Sequence, residues 1–232
     1  MTSGLRITLQ VALAREAFEK ELKLLRESLL RMATMVEAQI DDALAALRGL
    51  DRDLADTVRR NDQEINELFR QIREQCFMVI STQQPVARDL RTLMGVQSIA
   101  GELERIGDYA LRIARMTATL AGLPSTPLRA EFGLMGELAT RQVRDILDAL
   151  IEQDEERARE VAARDDEIDR LYHRVFDGLI EELAAGPMDS DRALRGVTLM
   201  LVAHNLERIG DRVTNVAEDI VFLESGQVVE LG

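Results

Sequence analysis

Apolar residues recur every three to four positions through six long stretches of this chain, the spacing that lines them along one face of an α-helix. In the stretch from Val86 to about Leu120 the stripe is Val96, Ile99, Leu103, Ile106, Ala110 and Ile113. The same period predicts helices over about Arg15 to Arg48, Asp51 to Ser81, about Ala130 to Leu150, Asp154 to Ala184 and Ser190 to Leu223. Pro85, Pro124, Pro127 and Pro187 all fall between these stretches, where a fixed φ and a missing N–H do no harm. Asp51 and Asp154 stand where a side chain would accept the first free N–H groups of a helix. Gly122 to Leu128 reads as a linker, and a short tail follows Gly226. The expectation is an all-α protein of six helices, arranged as two three-helix bundles over residues 15–121 and 129–226.

The hexapeptide Leu-Glu-Arg-Ile-Gly-Asp occurs at Leu103 to Asp108 and again at Leu206 to Asp211. The offset of 103 residues carries back without a gap, pairing Leu44 with Leu147, Asp51 with Asp154, Val58 with Val161, Asp62 with Asp165 and Ile65 with Ile168. A constant register over most of each half marks two copies of one supersecondary unit.

Few aromatic residues, few glycines and prolines and abundant charge fit a helical chain. A net charge of −13 with no basic stripe argues against nucleic-acid binding and favours cations and basic partners. Charge interrupts every apolar run, which leaves none able to cross a bilayer as a single helix. Leu5 to Leu13 lacks the basic start and clean apolar core of a signal peptide, so the cytoplasm is the default location. Cys76 is the single cysteine, which excludes an intramolecular disulfide and a thiolate cluster; with Phe77 and Met78 beside it, it reads as core packing.

The carboxylates change the picture. Glu104 with Asp108, and Glu207 with Asp211, lie one turn apart along a margin of the apolar stripe. A solvated helix edge is the plain reading of such pairs. Against it, like charges at this spacing destabilise a helix, and the intervening Gly107 and Gly210 each cost about 1 kcal/mol relative to alanine. Asp62 falls inside the stripe of Val58, Ile65, Phe69 and Ile72, and Asp165 among Val161, Ile168 and Tyr172. A carboxylate there must be paired, hydrogen-bonded or protonated. Each has a polar residue one turn later, Asn66 or Asp169, and a Glu-x-x-x-Asp pair on the next helix. These residues form a candidate oxygen-rich cation site in each half, with glycine allowing close helix approach. Oxygen ligands suit magnesium, calcium, manganese or ferric iron, and the clusters expected of structural zinc are lacking. The identity stays open among iron, manganese, magnesium, calcium and zinc.

The Glu-x-x-His pairs of ferritin-like di-iron bundles are absent. His204, three residues before Glu207, is either an extra ligand or a structural residue, the second being simpler; His173, four after Asp169, is read the same way. Arg105 and Arg208 read as partners of neighbouring carboxylates, and Glu37 and Asp41, whose register partners are Thr140 and Arg144, as surface charge.

Gln84-Pro85-Val86-Ala87-Arg88-Asp89-Leu90-Arg91, the two hexapeptides, Leu206 to Asn215 as a whole and the Asp62 and Asp165 regions are together similar to the PhoU family, bacterial regulators of high-affinity phosphate uptake. The similarity spans about Phe18 to Gly226. It implies two pseudo-symmetric three-helix domains, frequent homodimerisation, and metal bound through acidic motifs. Those motifs map onto Glu104 with Asp108 and Glu207 with Asp211, with Asp62, Asn66, Asp165 and Asp169 facing them. It also implies action at the cytoplasmic side of the Pst phosphate ABC transporter and on a PhoR-type sensor kinase, by contact and without catalysis. Asn66 stands where the second half keeps Asp169, so weaker metal binding is expected in the first half. A metal enzyme or store on the same bundles, and a metal-free adaptor held by salt bridges, are the alternative readings.

Overall fold

The computed structural model describes residues 2–124, 126–187 and 189–232, with side chains from Arg15 onward. Helices α1 (Thr2–Gly49), α2 (Arg52–Gln83) and α3 (Arg88–Leu120) form the first bundle. Helices α4 (Ala130–Glu152), α5 (Glu155–Ala162), α6 (Asp166–Ala184) and α7 (Ser190–Ser225) form the second. The all-α, six-helix plan holds, α5 and α6 being two parts of the single helix expected over Asp154 to Ala184. The first helix begins earlier than expected, at Thr2. No described helix is long and apolar enough to cross a membrane.

Local chemistry sets these boundaries. Asp51 Oδ1 accepts from the N–H groups of Asp53 and Leu54 at 2.9 and 3.0 Å, and Asp154 from that of Arg157 at 2.9 Å. Gln84, in the left-handed conformation, ends α2 just before Pro85, and Gly226 (φ +76°) ends α7. The break between α5 and α6 has an electrostatic cause. Asp166, Glu167 and Asp169 crowd the first turn of α6 and Arg159 sits in the last turn of α5, charges that favour a new N-terminus there over a continuous helix. Through the break the backbone tightens to three-residue bonds, with Arg164 N–H donating to Val161 and Asp165 N–H to Ala162 at 3.1 Å each.

The predicted stripes are the core: Ile99, Leu103, Ile106, Ala110 and Ile113 on α3 and Val58, Ile65 and Ile72 on α2 are buried. Cys76 is buried with them, and burial pushes its thiol up to about 11, leaving it unreactive. Its neighbours do not follow it inward. Phe77 and Met78 are 68% and 57% exposed, because successive helix residues turn by about 100°.

The bundles meet along α3 and α7, which run antiparallel: Glu102 accepts from Arg212 at 3.2 Å and Asn215 at 3.1 Å, while Asn205 meets Met116. Gly95 leaves room for Leu223 at this crossing, since a Cβ there would run into the leucine side chain. On the other side α1 packs on α4, and Glu37 and Asp41 are more than idle surface charge. Arg144 Nε donates to Glu37 at 2.7 Å and its guanidinium lies 4.0 Å from Asp41, so the register partner of Asp41 spans the two repeats. With Arg144 more than half exposed, water and salt screen that clasp and it adds little to stability.

Candidate cation site

Both repeats bring the same helices together around a carboxylate, and they finish the job differently. In the first, Asp62 on α2 is 6% exposed and faces α1 and α3. Gln39 of α1 donates one amide hydrogen to Asp62 Oδ1 at 3.1 Å and another to the Gly107 carbonyl at 3.0 Å. Asn66 donates to Asp62 Oδ2 at 2.9 Å. Both oxygens of the buried carboxylate therefore have donors. Glu104 and Asp108 lie half-buried at the margin of the α3 stripe, Asp108 within 3.9 Å of Arg112. Burial and then Asp108 raise the Glu104 carboxyl; burial raises Asp62, with the Gln39 hydrogen bond acting against it.

In the second repeat Asp165 stands at the joint between α5 and α6, its Oδ1 buried against Gly210. It is half-buried at the N-cap of α6, and its side chain caps no N–H. The break presents the Arg164 carbonyl to α4, where Gln142, the register partner of Gln39, donates to it at 3.3 Å. With its NH₂ committed there, Gln142 turns Oε1 the other way. That oxygen, Asp165 Oδ1, Asp169 Oδ1 and Glu207 Oε2 are all buried acceptors without a hydrogen-bond donor. Asp165 Oδ1 and Gln142 Oε1 both lie against Gly210, and one oxygen each from Asp165, Asp169 and Asp211 fall within 4.8 Å of one another. Among the described residues this is the single grouping of three such ligands. Oxygens bound to one hard cation at about 2.0–2.6 Å lie within about 5 Å of each other, so the oxygens of Asp165, Asp169 and Asp211 fit one, while Glu207 stands outside that grouping.

The electrostatics follow from the crowding. Burial, then the charge of Asp211, pushes the Glu207 carboxyl up to about 7, and burial, then Asp169, pushes Asp165 up to about 6. Burial raises Asp211 as well, offset by Arg208, whose guanidinium pairs with it at 2.6 Å. Arg208 thus plays the part expected of it, while Arg105 reaches only Glu102, at 4.0 Å. His204 is the one histidine near the cluster, its Nδ1 lying 3.3 Å from Glu207 Oε2 outside hydrogen-bonding geometry. Burial and then Arg208 hold its imidazole below the ordinary value. His173 is exposed on α6 beside Tyr172.

Sequence reasoning missed the glutamines. Gln39 interrupts the buried run Val36, Ile40 and Ala43 on α1, and Gln142 interrupts Ala139, Val143 and Ile146 on α4. A polar residue on an apolar face, repeated at the 103-residue offset, was the signal that marks them.

The two glycines now separate in role. A Cβ on Gly107 would meet Gln39 and Ile65 at 3.6–3.7 Å, an ordinary contact, whereas on Gly210 it would lie 2.9 Å from Asp165 Oδ1 and 3.0 Å from Ile168. Gly107→Ala is expected to raise stability by up to about 1 kcal/mol, the helix-propensity difference. Gly210→Ala is expected to displace the Asp165 carboxylate and weaken cation binding roughly tenfold, as disturbed support of a metal ligand does. Thermal unfolding and calorimetric titration with manganese on both variants check the pair.

The chain matches the PhoU domain model twice, over residues 29–117 and 132–220. It is 36% identical over 220 residues to the phosphate-specific transport system accessory protein PhoU homolog of Clostridium acetobutylicum, covering 94% of this chain and 99% of that one. To the phosphate-specific transport system accessory protein PhoU of Escherichia coli (strain K12) it is 33% identical over 211 residues, 90% of this chain and 86% of the relative. Among solved structures, PhoU from Pseudomonas aeruginosa superposes with a TM-score of 0.85 at 34% identity, covering 90% of this chain and 100% of that one. The phosphate transport system regulatory protein PhoU from Streptococcus pneumoniae does so with a TM-score of 0.83 at 27% identity, covering 92% and 100%. Two domain matches in the register of the hexapeptide repeat, on a fold shared almost end to end with these structures, mean that the chain belongs to the PhoU family.

Proposed function

We propose that this protein is a cytoplasmic accessory regulator of phosphate-specific transport that binds a cation in its second repeat. In this reading it restrains a Pst-type phosphate ABC transporter and the phosphate-starvation signalling of a PhoR-type kinase, acting as a homodimer through contact. Its two repeats, 15–121 and 129–226, supply two pseudo-equivalent faces for those partners. The relatives' names as phosphate transport accessory proteins support the regulatory part. The observation that carries the cation is the set of four donorless acceptor oxygens on Gln142, Asp165, Asp169 and Glu207. Such groups are costly to bury unless something positive satisfies them. Where a cation binds, Asp165, Asp169 and Asp211 hold it, with the Gln142 and Glu207 acceptors beside them, and it supplies charge that fixes α6 against α7.

The first-repeat residues Asp62, Asn66, Glu104 and Asp108 favour a second role. With Gln39 and Asn66 donating to both Asp62 oxygens, that carboxylate is satisfied without an ion and serves as a polar joint between helices, Gln39 Oε1 being the buried acceptor of this cluster left without a donor.

Deleting the gene from its host is expected to raise alkaline phosphatase activity in phosphate-rich medium, and wild-type complementation to restore repression. Activity that stays low after deletion overturns the regulatory reading. Complementation with Glu207→Gln plus Asp211→Asn asks separately whether the cluster contributes.

A further inference from the structure

The antiparallel packing of α1 on α4 sets the last turns of each helix against the other, and a hollow lies at each end of the seam. The 103-residue offset relates the two, since Leu29, Leu30 and Leu150 at one end match Phe132, Gly133 and Leu47 at the other. The ends are finished differently. At the second, an open cleft of about 300 Å³, neither α3 nor α7 contributes among the described residues, and Arg129 is turned to α6, where it lies against Gly178 and 3.9 Å from Glu182. At the first, Leu223 seated against Gly95 brings α7 over the hollow, and helices of both repeats enclose about 170 Å³. Its floor is Leu29, Val96 and Ile220, each 3% exposed or less. Its rim carries Arg26, Arg88 and Glu224.

We propose that the enclosed hollow binds a small organic anion, its carboxylate held by Arg26 and Arg88 and its hydrocarbon body, about six carbons, in the apolar interior. Size and lining fix the body. A dry apolar cavity of roughly 150 Å³ accepts a benzene ring, whereas an ordered water needs about two to four polar partners, which walls of leucine, isoleucine and valine do not offer. The rim fixes the charge. Among the described residues neither Arg26 nor Arg88 has an ion-pair partner, because the neighbouring carboxylates are engaged: Arg15 takes Glu19 and Asp89, and Lys23 takes Glu27 at 3.8 Å. Glu224 accepts from Gln153 at 3.2 Å, which leaves two guanidiniums against one carboxylate at the mouth. One negative charge on the ligand balances them, and a guanidinium grips a carboxylate in a planar fork. Because α1 and α3 belong to one repeat and α4 and α7 to the other, an occupant clamps the repeats together.

The test is calorimetric titration of the full chain with benzoate, with benzyl alcohol as its neutral counterpart and inorganic phosphate as an anion that lacks a hydrocarbon body. Benzoate is expected to bind with a dissociation constant below about 1 mM, within reach of a ligand of its size, and benzyl alcohol more weakly. Arg26→Gln with Arg88→Gln is expected to weaken benzoate roughly tenfold or more and to leave benzyl alcohol unchanged, the loss of a charge-assisted contact. Leu30→Trp, which fills the hollow from its wall, is expected to abolish binding of both. Arg48→Gln, at the open end, is expected to change neither. Helicity and melting temperature of every variant establish that it is folded. Absence of saturable benzoate binding overturns the site, as does binding that survives Leu30→Trp or falls in Arg48→Gln. Equal benzoate affinity in the double arginine variant, or displacement of benzoate by phosphate, overturns the assigned ligand chemistry.

Discussion

Asp169→Asn is expected to abolish high-affinity cation binding by this chain, lowering affinity on the order of a hundredfold. The substitution gives the second repeat the composition of the first, where Asn66 occupies the same register position. Its effect is twofold. One anionic oxygen leaves a group whose members lie within 4.8 Å of one another, and an amide donor arrives in its place. In the first repeat that donor is already bonded to Asp62 at 2.9 Å; an asparagine amide at the equivalent position of α6 would bond Asp165 and occupy the lone pair a cation needs. Changes merely supporting a metal ligand cost about 10–100-fold, and this one removes a ligand outright. Asn66→Asp is the converse and is expected to create a weaker second site, since Gln39 still blocks Asp62 Oδ1. Metal content after dialysis and calorimetric titration with manganese measure both. Equal binding by wild type and Asp169→Asn excludes this assignment of ligands.

Raising the pH is expected to destabilise the metal-free protein and to stabilise the metal-loaded one. The sign follows from which state holds more protons. Asp165 and Glu207 have carboxyls pushed up to about 6 and about 7, from ordinary values of 3.8 and 4.5. Between about pH 4 and 7 the folded chain therefore keeps protons that the unfolded chain has lost, so its stability is fully present at the acid end and is lost as pH rises through the folded values. A bound cation inverts the dependence because it takes only the ionised carboxylates. At a hundred times its dissociation constant it contributes about 2.7 kcal/mol, and in a chain of this length each kcal/mol moves the melting temperature by about 2–4 °C. Melting curves from about pH 5 to 8, with chelator and with excess manganese, should cross. Asp219 titrates in the same window and lies elsewhere. Burial at the α3–α7 seam pushes it up to about 7, against the Ser98 hydrogen bond and helped by Glu102 and Glu218. In an Asp219→Asn background the metal-free slope is expected to shrink while the crossing persists; loss of the crossing would transfer the pH effect from the cluster to the seam.

Much of this molecule follows from local chemistry that a sequence displays directly. Periodicity and prolines placed the helices, a repeated hexapeptide placed the symmetry, and Asp62 announced its burial by standing inside an apolar stripe. Similarity to the PhoU family supplied the proposed partners, which no spacing contains. The asymmetry between the repeats was legible only in part. Asn66 against Asp169 is visible as a one-residue difference, but its consequence depends on where the donors go. That depends on the α5–α6 break, which turns Gln142 away from the carboxylates and toward the Arg164 carbonyl while Gln39, at the same register, donates to Asp62. The charges that favour the break are present in the chain, yet a continuous helix and a broken one satisfy the same apolar period. The pairing of Arg144 with Glu37, the antiparallel α3–α7 contact and the exposure of Phe77 beside a buried Cys76 likewise belong to the tertiary structure. Sequence alone determined which residues are helical, duplicated and acidic, because those properties are set within one or two turns. Only the packed chain decided which acceptors are left without donors, because a hydrogen bond between helices depends on partners many residues apart.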